Sequence, residues 1–449
     1  MNIVLLSGGS GKRLWPLSND IRSKQFIKIF KRPETETDAE GEHKTHYESM
    51  VQRVYRQIKT VDKDAEVTIA TSKSQVSTIR NQLGNSVGIS VEPCRRDTFP
   101  AIVLVTAYLH YIRGVSLDEA VVVCPVDPYV NDDYFEALKR LWELAQSGTA
   151  NLVLMGIDPT YPSEKYGYII PKDKQQVSKV DTFKEKPDAE TAQKYIDAGG
   201  LWNGGVFAYK LRYVLDRAHQ LIDFTNYADL LNKYEGLKKI SFDYAVVEHE
   251  NDIAVLRFAG EWKDLGTWNT LTEAMEEKAV GDVRFNDTCS NIHAINELGV
   301  PILLMGLKDV VVSASPEGIL VSDKEQSSYI KPYVDAIKKQ VMFAEKSWGS
   351  YRVIDIEENS MTVKVTLKPG HRMNYHSHEK RDEVWTVISG TGKTIVDGMV
   401  QPVKQGDVVT MAIGCKHTVI AGKQGLQLIE VQLGKDITVS DKKKFEMPQ

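Results

Sequence analysis

Leu5-Leu6-Ser7-Gly8-Gly9-Ser10-Gly11-Lys12-Arg13-Leu14-Trp15-Pro16-Leu17-Ser18, with Lys24-Gln25-Phe26 close behind, is the stretch on which the fold turns. Ahead of it, Asn2 to Leu6 is a short apolar run suited to a buried strand. Gly8, Gly9 and Gly11 then meet two basic side chains, Lys12 and Arg13. Without a Cβ, glycine lets successive backbone N–H groups close around an anion. At the carboxyl end of a parallel strand, such a loop is a phosphate cradle. Spacing excludes two common versions. A P-loop needs Ser or Thr after its Gly-Lys, but Arg13 follows Gly11-Lys12, and Leu6 stands where the first glycine belongs. A dinucleotide fingerprint starting at Gly9 fails at its third glycine, which is Leu14.

Working outward, strand and helix patterns alternate to about residue 157. Residues 66–70, 87–91, 120–126 and 151–157 are short, apolar and rich in β-branched side chains. Between the second and third, Thr98 is the expected cap of a helix with Ala101, Ile102, Val105 and Leu109 on one face, stopped by Gly114. The pattern predicts an α/β domain with a mostly parallel, mixed sheet of Rossmann-like kind over residues 1–280. Ligands of such sheets bind at the carboxyl ends of the strands, where the glycine loop lies. Residues 31–48 read as a polar, mobile surface loop with no chemistry assigned.

A small β region and a connector helix, Ser328–Phe343, are expected over 281–345, then an all-β barrel over 346–449. With 449 residues, several domains are expected. A net charge of −5 argues against nucleic acid as a partner. No apolar run reaches membrane-spanning length, and the scattered Cys94, Cys124, Cys289 and Cys415 suit a cytoplasmic protein.

Further stretches follow the glycine loop in order: Glu92-Pro-Cys-Arg-Arg96-Asp97-Thr98, Cys124-Pro-Val-Asp127, Tyr166-Gly167-Tyr-Ile169, Phe183-Lys-Glu185-Lys186-Pro187, Trp202-Asn203-Gly-Gly-Val-Phe207, and Trp262-Lys-Asp264-Leu-Gly-Thr-Trp268. Together they resemble the sugar-1-phosphate nucleotidyltransferases, in particular the long bacterial mannose-1-phosphate guanylyltransferases, from about residue 3 to 270. The resemblance implies transfer of GMP from GTP to mannose 1-phosphate, giving GDP-mannose and pyrophosphate; another sugar 1-phosphate or nucleotide is the alternative. It implies Arg13, Lys24 and Lys186 as catalytic cations, and Leu6, Gly8, Gly9, Gly11, Arg96 and Asp97 around the nucleotide. It places Gly167, Glu185 and Asn203 at the sugar, and Asp127 and Asp264 on Mg²⁺, a hard cation suited to carboxylates. A homo-oligomer, a dimer, is the expected assembly. Pro128, where many relatives have His, and Asp97, where many have Asn, are departures.

In the last hundred residues, Gly370-x₅-His376-x-His378-x₄-Glu383-x₆-Gly390 has the spacing of the first cupin motif. Gly406-x₅-Ala412-x-Gly414-x₂-His417 approximates the second, with Ala for Pro. His376, His378, Glu383 and His417 suit a divalent transition metal such as Zn²⁺. Lys346-Ser-Trp-Gly-Ser-Tyr351 and Arg381-Asp-Glu-Val-Trp385 resemble the type II phosphomannose isomerase domain. There Val384 replaces a usual histidine, so an isomerase and a metal-binding cupin that does not isomerise both stay open.

Overall fold

The computed structural model describes residues 1–9, 12–19, 21–32, 46–337, 340–438 and 441–448. Most of the expected loop at 31–48, and Gly11 of the glycine loop, lie outside the described residues. The chain divides into two compact units. The first contains Met1–Ser10, Lys24–Val76 and Asn85–Glu276; the second contains Gly11–Ser23, Ser77–Gly84 and Glu277–Gln449.

The first unit is built on a nine-stranded mixed sheet. Asn2–Ser7 pairs in parallel with Glu66–Ser72 on one side and Ala120–Pro125 on the other, and Gly88–Glu92 adds in parallel beyond Glu66–Ser72. Leu201–Lys210 then runs antiparallel to both Ala120–Pro125 and Leu152–Ile157. Ile253–Phe258 lies parallel to Leu152–Ile157, and Val177–Lys184 and Tyr168–Pro171 complete the order antiparallel. The central strands are buried on both faces, as their unbroken apolar runs require. The carboxyl ends of the four parallel strands therefore share one edge, and the glycine loop leaves from it.

Helices cover the sheet. Met50–Val61 starts with a capping box between Ser49 and Gln52. Thr98–Ala107, buried almost throughout, joins a core with Val121, Val123, Phe207 and Phe242. Its cap is Asp97 and not Thr98: the Asp97 carboxylate accepts the Thr98 N–H at 2.9 Å, while Thr98 Oγ1 accepts the Phe242 N–H at 2.8 Å. The carboxylate one residue earlier reaches the open N–H, which frees the threonine to tie down a distant turn. Gly114 ends the helical run at φ +72°, as its position suggested.

In the second unit, Ala279–Val280, His293–Asn296, Val310–Ser315 and Gly318–Asp323 form a four-stranded sheet, with Val283–Phe285 and Ile302–Leu304 as a parallel pair. The connector helix is shorter than expected, spanning Lys331–Ala336. Pro332 sits in its first turn, where proline is tolerated because it lacks an N–H, and the chain is already extended at Ile337. Antiparallel strands follow, dominated by Arg381–Val396 and His417–Gly434, which pair along most of their length through two bulges. Their inner faces enclose Val363, Trp385, Val419 and Leu428.

Candidate active site

At the glycine loop, buried polar groups fix the end of strand Asn2–Ser7. Ser7 Oγ donates to Gln75 Oε1 at 3.1 Å and accepts from Gln25 Nε2 at 2.9 Å, and Thr71 Oγ1 donates to the same Gln75 oxygen at 2.8 Å. Beyond this knot Gly8 and Gly9 are exposed, while the Leu6 carbonyl accepts the Val126 N–H at 3.2 Å. Arg96 is fastened to the Glu235 carbonyl through Nε at 3.0 Å and through Nη2. Asp97 is spent on its helix cap at φ +70°. Arg13 lies exposed on the turn Lys12–Leu14, within the second unit.

Lys24, Asp127 and Asp264 meet. Strand Trp262–Asp264 pairs antiparallel with Pro128–Val130 in a register that sets Asp264 opposite Pro128 and so beside Asp127. Lys24 opens the turn Lys24–Phe26, anchored by fully buried Phe26. Its Nζ lies 2.8 Å from Asp127 Oδ2 and 3.4 Å from Asp264 Oδ1. Burial works against the Lys24 charge, but the two carboxylates outweigh it and hold the ammonium above its ordinary range. The carboxylates open on a cavity of about 220 Å³ also lined by Tyr166, Asn203, Gly204 and Trp262. Two carboxylates converging on one cation are the hard donor set that a divalent ion with water and phosphate oxygens uses. The donors therefore fit such an ion.

Of the sugar candidates, Asn203 lines this cavity, and Gly167 and Glu185 stand behind it. Asn203 donates from Nδ2 to Asp243 Oδ1 at 2.6 Å, and its backbone N–H goes to the Gly167 carbonyl at 2.8 Å. A Cβ on Gly167 would lie 2.5 Å from Glu185 Oε2 and 3.4 Å from Asn203 Cβ, so glycine leaves the room that this carboxylate occupies. Lys186 folds back onto Glu185 Oε1 at 2.7 Å from a left-handed backbone, φ +44°. Asp243 is the member that sequence reasoning missed. Burial, reinforced by Glu185, pushes its carboxyl up to about 6. Its stretch, Ser241-Phe-Asp243-Tyr244, was visible in the sequence, but nothing local tied it to Asn203.

In the second unit His376, His378, Glu383 and His417 come together as the spacing suggested, their ligand atoms all within 4.8 Å of one another and all four buried. Each imidazole turns Nδ1 toward a backbone carbonyl: His376 to Asn374 at 2.6 Å, His417 to Cys415 at 3.0 Å, and His378 to Asp441. That arrangement puts the proton on Nδ1 and leaves the Nε2 lone pairs of His376 and His417 open, while His378 Nε2 accepts from Arg381 Nη2 at 3.2 Å. Burial, with Lys442 and His417 adding to it, pushes His376 down to about 2, so it stays neutral. Glu383 Oε2 and His417 Nε2 face each other at 3.2 Å, both buried and neither in a hydrogen bond. Two acceptors left bare at that separation fit a metal between them. Arg381, on the same buried face of the strand, donates from Nε to Glu383 Oε1 at 2.9 Å. Along Arg381–Val387 the buried residues are 381, 383, 385 and 387, so Val384 faces away from this cluster, and the missing histidine takes nothing from it. Glu430, pushed up to about 7 by burial and by Glu383, shares this interior and was not anticipated.

Comparison with known proteins agrees with the two-part geometry. The nucleotidyl transferase family model matches residues 2–280, and the mannose-6-phosphate isomerase C-terminal model matches residues 335–447. A mannose-1-phosphate guanylyltransferase of Salmonella montevideo is 28% identical over 474 residues, spanning 96% of this chain and 95% of that protein. The xanthan biosynthesis protein XanB of Xanthomonas campestris pv. campestris (strain B100) is 30% identical over 478 residues, spanning 99% and 97%. A crystal structure described as mannose-1-phosphate geranyltransferase, from Thermus thermophilus, superposes with a TM-score of 0.59 at 26% identity, over 74% of this chain and 98% of that one. Among the described residues, no helix is long and apolar enough to cross a membrane.

Proposed function

Because the chain belongs to the nucleotidyl transferase family, we propose that it transfers GMP from GTP to mannose 1-phosphate, releasing pyrophosphate and giving GDP-mannose. The observation that carries this reading is the meeting of Lys24, Asp127 and Asp264 at a cavity shared with Asn203. A phosphate oxygen of the sugar attacks the α-phosphorus, and the bond to the β-phosphate oxygen breaks as pyrophosphate leaves with its electron pair. No covalent enzyme intermediate is needed, so positioning and charge neutralisation supply the acceleration. Lys24 counters charge on the triphosphate, which Leu6, Gly8 and Gly9 cradle; Arg96 and Asp97 border it. Asp127 and Asp264 would hold Mg²⁺, which neutralises phosphate oxygens when bound. Lys186 reaches the sugar phosphate, and Glu185, Asn203 and Asp243 accept from or donate to the sugar hydroxyls, with Gly167 giving them space.

Residues 346–449 form the second functional part in this reading. His376, His378 and His417 through Nε2, with Glu383, would hold a divalent transition metal such as Zn²⁺, a Lewis acid for a carbonyl or hydroxyl oxygen. The match to the isomerase family model favours mannose 6-phosphate isomerisation there. GTP is a cytosolic metabolite, so the reading carries with it a cytoplasmic enzyme, and a homodimer is the assembly to test by light scattering.

Pyrophosphate release from four nucleoside triphosphates paired with several sugar 1-phosphates tests the main claim. GTP with mannose 1-phosphate is expected to turn over fastest. A different preferred pair overturns the specificity while leaving the reaction class intact.

A further inference from the structure

Beyond strand His417–Gly434, residues 441–445 lie against the histidine cluster. Asp441 fastens this segment: its Oδ1 accepts the Glu379 N–H at 2.9 Å, its Oδ2 accepts the Lys380 N–H at 3.1 Å, and its carbonyl meets His378 Nδ1. Strand Lys443–Lys444 then pairs antiparallel with His376–Ser377, Lys444 opposite His376 and Lys443 opposite Ser377, and the Phe445 N–H donates to the Tyr375 carbonyl at 2.9 Å. Opposed residues of an antiparallel pair share a face, as do alternate residues along one strand. Lys444 and Lys442 therefore stand on the face of His376. Lys443 stands on the other, its Nζ 5.8 Å from the centre of the Phe445 ring.

A divalent ion among three neutral imidazoles and one carboxylate keeps net positive charge, so lysines gathered beside it raise the repulsion. Arg381 already takes Glu383 Oε1 and lies 3.8 Å from Asp441 Oδ2. Among the described residues, neither Lys442 nor Lys444 forms an ion pair or a hydrogen bond through Nζ. Nor does Lys346, whose Nζ lies 5.6 Å from the centre of the Tyr351 ring. Burial, with Lys444 adding to it, holds Lys346 below the ordinary lysine range. Burial, helped by Arg381 and Lys444 and opposed by Glu430 and Glu383, pushes Lys442 down to about 8. A chain of net charge −5 has carboxylates to spare for these three, yet leaves them without one. Two polar atoms on the inner face are bare as well: Trp385 Nε1, a donor, and Gln432 Oε1, an acceptor, are buried without a hydrogen bond, and Gln432 stands opposite Glu383. Cations gathered without a counter-ion call for an anion, and a bare donor and acceptor call for hydroxyls. A phosphate monoester, with close to two charges on three oxygens, answers three ammoniums better than a carboxylate does.

We infer that Lys442 and Lys444, with Lys346 beside them, form an anion pocket at the histidine cluster that takes the phosphate of a sugar phosphate monoester. This rests on the reading of residues 346–449 as a part that acts on such a sugar. Cobalt(II) loaded at the cluster gives visible absorption that reports ligands arriving there. Full-length protein in this form is titrated with mannose 6-phosphate and with mannose, as wild type and as the double variant Lys442→Met, Lys444→Met. The phosphate ester is expected to half-saturate wild type at roughly 100-fold lower concentration than mannose, the scale of charge-assisted hydrogen bonds. The double variant is expected to lose nearly all of that advantage with its cobalt content intact. A wild type without the advantage overturns the assignment, and so does a double variant that keeps it. Lys444→Met alone alters an exposed side chain and serves if the double variant does not fold. Its advantage is expected to fall several-fold, and a wild-type value overturns the role of Lys444. Conversion of mannose 6-phosphate to its ketose isomer is assayed on wild type alongside: no conversion with the advantage intact overturns the isomerase reading and leaves the phosphate pocket standing.

Discussion

A Cβ placed on Gly167 would sit 2.5 Å from Glu185 Oε2, with Phe183 Cζ at 3.0 Å closing the other side. Alanine at 167 therefore pushes the carboxylate out of the proposed sugar pocket while leaving the glycine loop untouched. Gly167→Ala is expected to raise KM for mannose 1-phosphate by roughly 10- to 100-fold, the scale of an ångström-level misplacement, and to leave KM for GTP as it was. Steady-state kinetics with each substrate varied in turn checks this.

Lys24 is the only cation in contact with both Asp127 and Asp264 among the described residues. In Lys24→Met, a neutral chain of similar length leaves the phosphates and the two carboxylates uncompensated. We expect kcat to drop by roughly 100- to 1,000-fold, as for loss of one preorganised charge partner in other sites. Far-ultraviolet circular dichroism of the variant is expected to match wild type, which separates lost chemistry from lost fold.

Asp243 gives a pH signature with a defined sign. Its carboxyl is raised from an ordinary 3.8 to about 6. Between those values the unfolded chain has released this proton and the folded chain has kept it, so stability declines as pH climbs and stays lower above 6. The contribution is on the order of 3 kcal/mol. Asp243→Asn removes it, so the variant is expected to gain on wild type between pH 4 and 7. Thermal melts of both proteins across that range measure the crossing.

The metal set makes its own prediction. His417→Ala deletes one Nε2 donor and is expected to weaken metal binding by roughly 100-fold or more, since even outer partners of metal ligands are worth 10- to 100-fold. Elemental analysis of the purified variant is expected to show loss of the ion while GMP transfer continues. Val384→His, on the outward side of the same strand as Glu383, is expected to keep wild-type metal content.

Asp97 caps its helix from φ +70°, ψ −175°, a region that side chains seldom adopt. Glycine there relieves strain while alanine keeps it, and both lose the cap. Asp97→Ala is expected to cost about 1–2 kcal/mol, and Asp97→Gly less, reversing the usual ranking inside a helix. Denaturant midpoints of the two variants decide it.

Much of the candidate site was legible because strands display residues at fixed spacing. Asp127 follows a buried strand by two residues, and His376 meets His417 in register on the short strand His376–Ser377, with His378 directly after it. Local pattern failed where the partner comes from far along the chain. Asp243 reaches Asn203 across 40 residues, and Tyr234 reaches Glu92 across 142. Thr98 was the natural cap by residue type, but its hydroxyl is engaged by Phe242. The connector helix read as longer because polar residues on either side of Pro332 carry no stop signal of their own. Nothing in composition marks Gly11–Ser23 or Ser77–Gly84 as belonging with the far half of the sequence.

That last feature sets a timetable for synthesis. Arg22, nearly buried, donates both terminal nitrogens to Glu297, at 2.7 and 2.8 Å, a partner 275 residues later. Asn81 likewise donates to the carbonyls of Lys346 and Gly349. At ordinary ribosomal speeds Arg22 waits roughly 14 to 55 s for its carboxylate to be made. During that interval two early segments stay unclaimed while strands on either side of them already pair. A chain cut near residue 280 would strand them permanently, so the nucleotidyltransferase part cannot be freed by one scission without orphaning pieces of its neighbour.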